Sequence, residues 1–246
     1  MLKKTFLFLL LFNSLQLFSQ SISKDLLLGK LQYEHEENFI KVAKEHASKT
    51  TFLNREVYTA FVRMHEAAKA DGIELKIVSG ARNFEAQKAI WDYKWKLFEE
   101  LEPLERSKKI LEFSSMPSTS RHHWGTDVDL NNLENSYFEE GKGKAEYEWL
   151  LNNAYKFGFH QVYTSKESGR TGYEEEKWHW SYLPLAGTYL EIYNRIINYG
   201  DITDFQGAYL AAAQKMISAY VNGIAPAPVP PARIASLLQE DQETPE

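Results

Sequence analysis

Cysteine is absent from the 246 residues. That excludes disulfides and thiolate ligands, so any metal must be held by His, Asp or Glu. It also excludes an anchor built on a lipid-modified cysteine. Long apolar runs are missing once the first twenty residues are passed, and no later segment approaches the ~18 apolar residues that read as a membrane helix. Basic charge is in deficit, with 28 Lys and Arg against 34 Asp and Glu, and no basic stripe offers a nucleic acid its electrostatic footprint. What remains is plentiful apolar and aromatic content, 43% and 14%, too much for a disordered chain. The length suits one elaborated domain with its own core.

The opening "MLKKTFLFLLLFNSLQLFSQ" has a positive start at Lys3 and Lys4, an apolar stretch from Thr5 to Phe18 and a polar exit, the layout of a secretory signal peptide. Residues 1–20 are therefore set apart from fold reasoning, and a secreted or periplasmic protein with no further membrane span is expected. Residues 21–222 form the expected domain. Pro226, Pro228, Pro230 and Pro231 and the closing "QEDQETPE" mark 223–246 as a Pro/Ala-rich acidic tail, expected to be disordered.

Within the domain, Val57, Ala60, Phe61, Met64, Ala67 and Ala68 recur at helical spacing and predict a helix from Asn54 to Ala70. "IELKIVSG" alternates like a strand, and "NFEAQKAIWDYKWKLF" returns to helical period. Residues 99–119 read as a helical insert followed by a loop. A helix from Ala145 to Phe157, strands in "FHQVYT" and "KWHWSYL", and helices over Leu185–Tyr199 and about Phe205–Tyr220 complete the reading. Helices and short strands without a βαβ rhythm predict an α+β fold.

The chemistry gathers in "SRHHWGTDVDL", Ser120 to Leu130. A catalytic zinc site takes three protein ligands and leaves one position open. This stretch offers His122 or His123, and Asp127 or Asp129, with Gly125 allowing the tight turn between them. On an extended strand the two aspartates share a face, so spacing alone does not choose between them, nor between the histidines. The third ligand is expected in "EEEKWHWSY", at His179. Three residues before it, Glu176 supplies a carboxylate beside the metal, placed to take a proton from water and pass it to a leaving amine. Upstream, "SGARNFEAQ" exposes Arg82 and Gln87 at a strand-to-helix turn, and the planar fork of Arg82 suits the free carboxylate of a peptide end. Trp124, Trp178 and Trp180 read either as core or as walls of the site. His35, His46, His65 and His160, each alone in its stretch, read as surface or hydrogen-bonded core residues.

Ser120, His122, Gly125 and Asp129 in the pattern S-x-H-x-x-G-x-x-x-D, followed by Glu176, Trp178 and His179 as E-x-W-H, resemble the zinc D-alanyl-D-alanine carboxypeptidases of the VanY-like group. Ser79, Gly80, Arg82 and Gln87 match a third motif of that family, and the resemblance runs from about Leu26 to Leu190. It implies a zinc ion on His122, Asp129 and His179, with Glu176 as catalytic base. It further implies that Arg82, Ser120 and Gln87 hold the terminal carboxylate of a peptidoglycan stem peptide or its precursor. The implied fold carries the metal on a small antiparallel sheet surrounded by helices, as in lysostaphin-type peptidases and hedgehog domains. Asp127 departs from the family pattern, where a small residue is common. Two alternatives to terminal trimming of D-alanine are an endopeptidase of the same superfamily and a non-catalytic zinc module that binds cell wall or a protein partner.

Overall fold

A computed structural model describes residues 22–226. The predicted signal peptide and all of the tail beyond residue 226 lie outside the described residues. The chain enters through a short helix, α1 (Lys24–Leu28), then pairs two three-residue strands, β1 (Phe39–Lys41) and β2 (Phe52–Asn54), antiparallel. Neither strand, nor α1, was legible in the sequence. Three residues carry too little alternation to show a period, and the β1–β2 pairing depends on contacts across a long loop.

Asn54 ends β2 and caps α2 (Arg55–Ala70), its side chain accepting from the Glu56 N–H at 3.0 Å. Such a cap is worth about 1 kcal/mol. The predicted apolar stripe is real: Val57, Ala60, Phe61, Met64 and Ala68 are fully buried. They pack with Ile77, Val128, Leu130, Phe159 and Trp180, the inner residues of the main sheet. Each large side chain buried there contributes roughly 1.5–3 kcal/mol.

That sheet contains β3 (Ile77–Ser79), β4 (Asp127–Leu130), β5 (Phe159–Gln161) and β6 (His179–Tyr182), all neighbours antiparallel, in the order β3-β4-β6-β5. The α+β prediction with a small antiparallel sheet therefore holds. Each strand is shorter than its predicted stretch; in "IELKIVSG" only residues 77–79 join the ladder.

Helices α3 (Phe84–Leu97) and α4 (Pro103–Ile110) follow β3, and α4 fills the predicted helical insert with Pro103 in its first turn. Asn83 caps α3 by accepting from the Ala86 N–H at 2.9 Å. Helix α5 (Gly141–Asn153) begins four residues before its predicted start and passes into a 3-10 turn over Ala154–Phe157. Helix α6 (Leu183–Ile196) packs with α1 around Trp124, Tyr189 and Tyr193.

The predicted helix from Phe205 to Tyr220 does not form. Instead there are a 3-10 turn at Ala208–Leu210 and a π-helical turn at Met216–Val221. Backbone conformation is the reason. Gly207 has φ +78° and lies beneath Trp95, where a Cβ would come within 2.6 Å of the indole, and Lys215 also has positive φ. Left-handed residues interrupt a right-handed helix. The start of the predicted tail remains tied to the domain, since the Ala225 N–H donates to the Val162 carbonyl at 2.8 Å and Arg170 donates to the Gly223 carbonyl.

Candidate metal centre

Strand alternation gives the main sheet two chemically different faces. Val128, Leu130, Trp180 and Tyr182 join the core with α2. Asp127 and Asp129 on β4, with His179 and Ser181 on β6, occupy the alternate positions. The register places Asp129 opposite His179 and Asp127 opposite Ser181, and Ser79 of β3 pairs with Asp129 from the other side.

His122 arrives from the 3-10 turn Arg121–Trp124, which Gly125 terminates with φ +66°. A Cβ on Gly125 would lie 2.4 Å from the Phe39 ring, so the turn requires glycine for space as well as conformation. One donor atom from each of His122, Asp129 and His179 lies within 4.8 Å of the other two. Two imidazoles and one carboxylate form a zinc donor set.

The structure chooses between the histidines through their outer contacts. His122 Nδ1 is 2.9 Å from the Gly80 carbonyl, which can only accept, so the proton sits on Nδ1. Nε2 then presents a lone pair 3.3 Å from Asp129 Oδ1. Burial pushes the His122 pKa down, keeping the ring neutral as a ligand must be. His123 has no free nitrogen: Nδ1 donates to the Arg82 carbonyl at 2.6 Å and Nε2 accepts from the Ser118 N–H at 3.0 Å. It ties the Arg82 loop in place.

The aspartates separate in the same way. Asp127 is fully buried. It accepts from Arg121 Nε at 3.0 Å and Thr126 Oγ1 at 2.5 Å, and contacts His179 Nε2 at 3.0 Å. Burial alone would raise its pKa, but Arg121 and His179 hold it below the usual carboxylate range. Asp127 therefore orients His179 from behind and leaves His179 Nδ1 facing Asp129 Oδ1 at 3.1 Å. A carboxylate behind a ligating imidazole is a common metal-site device. Burial works to lower the His179 pKa, yet the two aspartates prevail and push it up to about 9.

Glu176 lies just outside the donor set, its Oε2 3.6 Å from His179 Nδ1. Burial pushes its pKa up to about 8 against the pull of His179. Its backbone is fixed by the Glu176 N–H donating to the Tyr163 carbonyl at 2.9 Å.

His122, Asp129, His179 and Glu176 line a cavity of about 1080 Å³ together with Ser79, Arg82, Ser120, Tyr163 and Trp178. Arg82 has its Nη2 3.8 Å from Asp129 Oδ2, while its buried Nε has no hydrogen-bond partner. Its backbone is clamped on both sides, N–H to the His122 carbonyl and C=O to His123. Gln87, expected beside it, is not exposed and does not line the cavity. It is fully buried and donates to the Ser115 carbonyl at 2.7 Å. It stands on the inward face of α3, supporting a loop at the cavity edge. Of the tryptophans, Trp178 lines the cavity, whereas Trp124 and Trp180 belong to the core.

Sequence reasoning missed Arg121 and Tyr163. Arg121 stands in the opening motif, but its ion pair with Asp127 depends on a turn the sequence does not show. Tyr163 packs against the His179 ring with centroids 4.5 Å apart, and an aromatic in a stretch that reads as a short strand carries no signal for that contact.

A mixed fold with this donor set, a buried carboxyl group beside it and an arginine on the same wall has the architecture of a metallopeptidase domain. Residues 50–185 match the D-alanyl-D-alanine carboxypeptidase family VanY, and the chain belongs to that family. YodJ of Bacillus subtilis (strain 168) is 32% identical over 161 residues, covering 65% of this chain and 53% of that protein. The D-alanyl-D-alanine carboxypeptidase of Enterococcus faecalis (strain ATCC 700802 / V583) is 31% identical over 127 residues, covering 50% and 45%. The chain thus spans about half the length of the curated relatives it matches. Among solved structures, the LdcB LD-carboxypeptidase superposes with a TM-score of 0.52 at 25% identity, over 69% of this chain and 77% of that one.

Proposed function

We propose that the protein is a zinc-dependent D-alanyl-D-alanine carboxypeptidase, secreted or periplasmic, that trims the terminal D-amino acid from peptidoglycan stem peptides or their precursors. The observation that carries this reading is the placement of Arg82: a cation with an unpartnered buried Nε on the wall that also presents Glu176 and the His122, Asp129, His179 set. Family membership supports the reaction. The N-terminal leader pattern supports the location, and no helix among the described residues is long and apolar enough to cross a membrane.

Zinc held by His122, Asp129 and His179 would supply Lewis acidity to the scissile carbonyl and acidity to a water molecule. The remaining work falls to the protein. Glu176 is held high by burial, and its pKa falls when positive charge is placed beside it, because opposite charge favours the carboxylate. In that state it accepts the proton of the attacking water and returns it to the departing amine. Arg82 receives the substrate's terminal carboxylate through charge-assisted hydrogen bonds and so registers the scissile bond one residue from the chain end. Ser120, on the same wall, offers a hydroxyl to that carboxylate. Asp127 and Arg121 keep His179 oriented throughout.

Arg82 favours removal of a terminal residue over cleavage inside a chain, and the buried Glu176 favours an enzyme over a non-catalytic zinc module. Incubating zinc-loaded protein with a muramyl pentapeptide and measuring free D-alanine by mass spectrometry tests the reading. Stoichiometric release of D-alanine is expected; an unchanged pentapeptide, or fragments cut internally, would overturn it.

A further inference from the structure

His46 lies in the loop between β1 and β2, and His65 and Glu66 lie toward the end of α2. Folding brings them together. The His46 and His65 rings are 4.6 Å apart, edge to face, and one donor atom from each of the three residues lies within 4.8 Å of the others. Both rings are buried while Glu66 is exposed, so the cluster is walled by protein on one side and open on the other.

The outer contacts of the two histidines are those of ligands. His65 Nδ1 is 2.9 Å from the Leu75 carbonyl, which can only accept; the proton is therefore on Nδ1 and Nε2 carries a lone pair. His46 Nδ1 is 2.7 Å from Tyr58 Oη, which accepts from the Ala43 N–H at 3.1 Å and can either donate its own O–H to Nδ1 or accept an Nδ1–H. The second arrangement leaves a lone pair on His46 Nε2, and a cation at Nε2 would select it. Among the described residues neither Nε2 has a hydrogen-bond partner and Glu66 makes no ion pair. Each ring is thus braced on one nitrogen and free on the other, as metal-ligating histidines are. Burial, with His65 adding to it, pushes the His46 pKa down, so that ring is neutral at neutral pH.

We propose that His46, His65 and Glu66 form a second metal site, structural rather than catalytic, for a divalent transition-metal ion of the zinc type. Two imidazole nitrogens and one carboxylate match zinc in donor type, and the exposed side leaves room for water. The site shares no residue with His122, Asp129 and His179. Its placement gives it a mechanical role. His46 accepts from the Ile77 N–H at 2.9 Å, Ser48 N–H donates to the Ile77 carbonyl at 2.9 Å, and His65 holds Leu75 just before β3. An ion there would fasten α2 and the 46–48 segment to the outer edge of β3, the strand that leads to Gly80 and Arg82.

Metal-stripped protein titrated with Zn²⁺, with bound metal counted by elemental mass spectrometry, tests this. Wild type is expected to take up two equivalents. Glu66→Gln changes an exposed residue and should leave the fold and the hydrolytic activity intact while weakening one equivalent by more than the roughly tenfold that loss of an outer-shell partner costs. His65→Asn, which keeps a donor for the Leu75 carbonyl, should retain a single equivalent, and His122→Ala should retain the other. Saturation of wild type at one equivalent, two undiminished equivalents in both the Glu66 and His65 variants, or no equivalent in His122→Ala would overturn the proposal.

Discussion

Asp129 and His179 face each other directly across β4 and β6, with Oδ1 3.1 Å from Nδ1. In the metal-free chain this contact makes His179 compete for a proton where an ion would sit. His179 is pushed up to about 9 from its ordinary 6.5, so below that pH the ring binds a proton that zinc must displace. Zinc affinity is expected to rise by about tenfold per pH unit between roughly pH 7 and 9, then level off, in a competition titration. The metal-free fold has the opposite dependence. A raised histidine contributes stability fully present below about 6.5 and lost as pH rises through about 9.

Asp127 sets that behaviour from behind. Replacing it by Asn removes one of the two carboxylates raising His179, so the affinity slope should flatten and shift to lower pH. Loss of an outer-shell carboxylate typically costs 10–100-fold in metal affinity, roughly the range expected here. Asp127→Asn should therefore weaken zinc measurably without abolishing its binding; an unchanged affinity and slope would remove Asp127 from the site.

Arg121 is the counter-charge that keeps Asp127 buried, bonded to it at 3.0 Å and to Ser181 Oγ at 2.7 Å while lying over the Trp124 ring. Arg121→Ala strands a buried carboxylate, for which the usual penalty is about 3–5 kcal/mol. Thermal or denaturant unfolding of the metal-free protein should show a loss of that order.

Much of this centre was legible in the sequence, and the limit of legibility has a physical cause. Alternation in "TDVDL" and "WHWSY" places Asp127, Asp129, His179 and Ser181 on one face, because strand period is a local property. The choice of His122 over His123 is not local: it depends on the carbonyls of Gly80 and Arg82, some forty residues away in the chain. The same holds for Asp127, whose part depends on Arg121 folding back over the sheet, and for Gln87, which helical rotation turns inward to Ser115. Helix α2 showed itself by a clean apolar stripe. The stretch after Phe205, also expected to be helical, fails because Gly207 must pass beneath Trp95 in a left-handed conformation. His46 and His65, nineteen residues apart, form no motif and meet only in three dimensions.

Arg82 is expected to act on substrate rather than on metal. Arg82→Ala should lower kcat/KM for a peptide with a free terminal carboxylate by about 10- to 100-fold, the range expected for loss of hydrogen bonds to a charged group. Zinc content should stay constant, and any residual cleavage of a terminally amidated peptide should be equal in variant and wild type. An equal loss on both substrates would show that Arg82 does not read the carboxylate.

In the proposed mechanism His122, Asp129 and His179 hold one ion while Glu176, 3.6 Å from His179, moves the proton without being a ligand. Zinc content and D-alanine release measured side by side on Glu176→Ala test it most directly. Zinc at the His122, Asp129, His179 set should be retained and release lost; retained release, or loss of that zinc together with activity, would overturn this assignment.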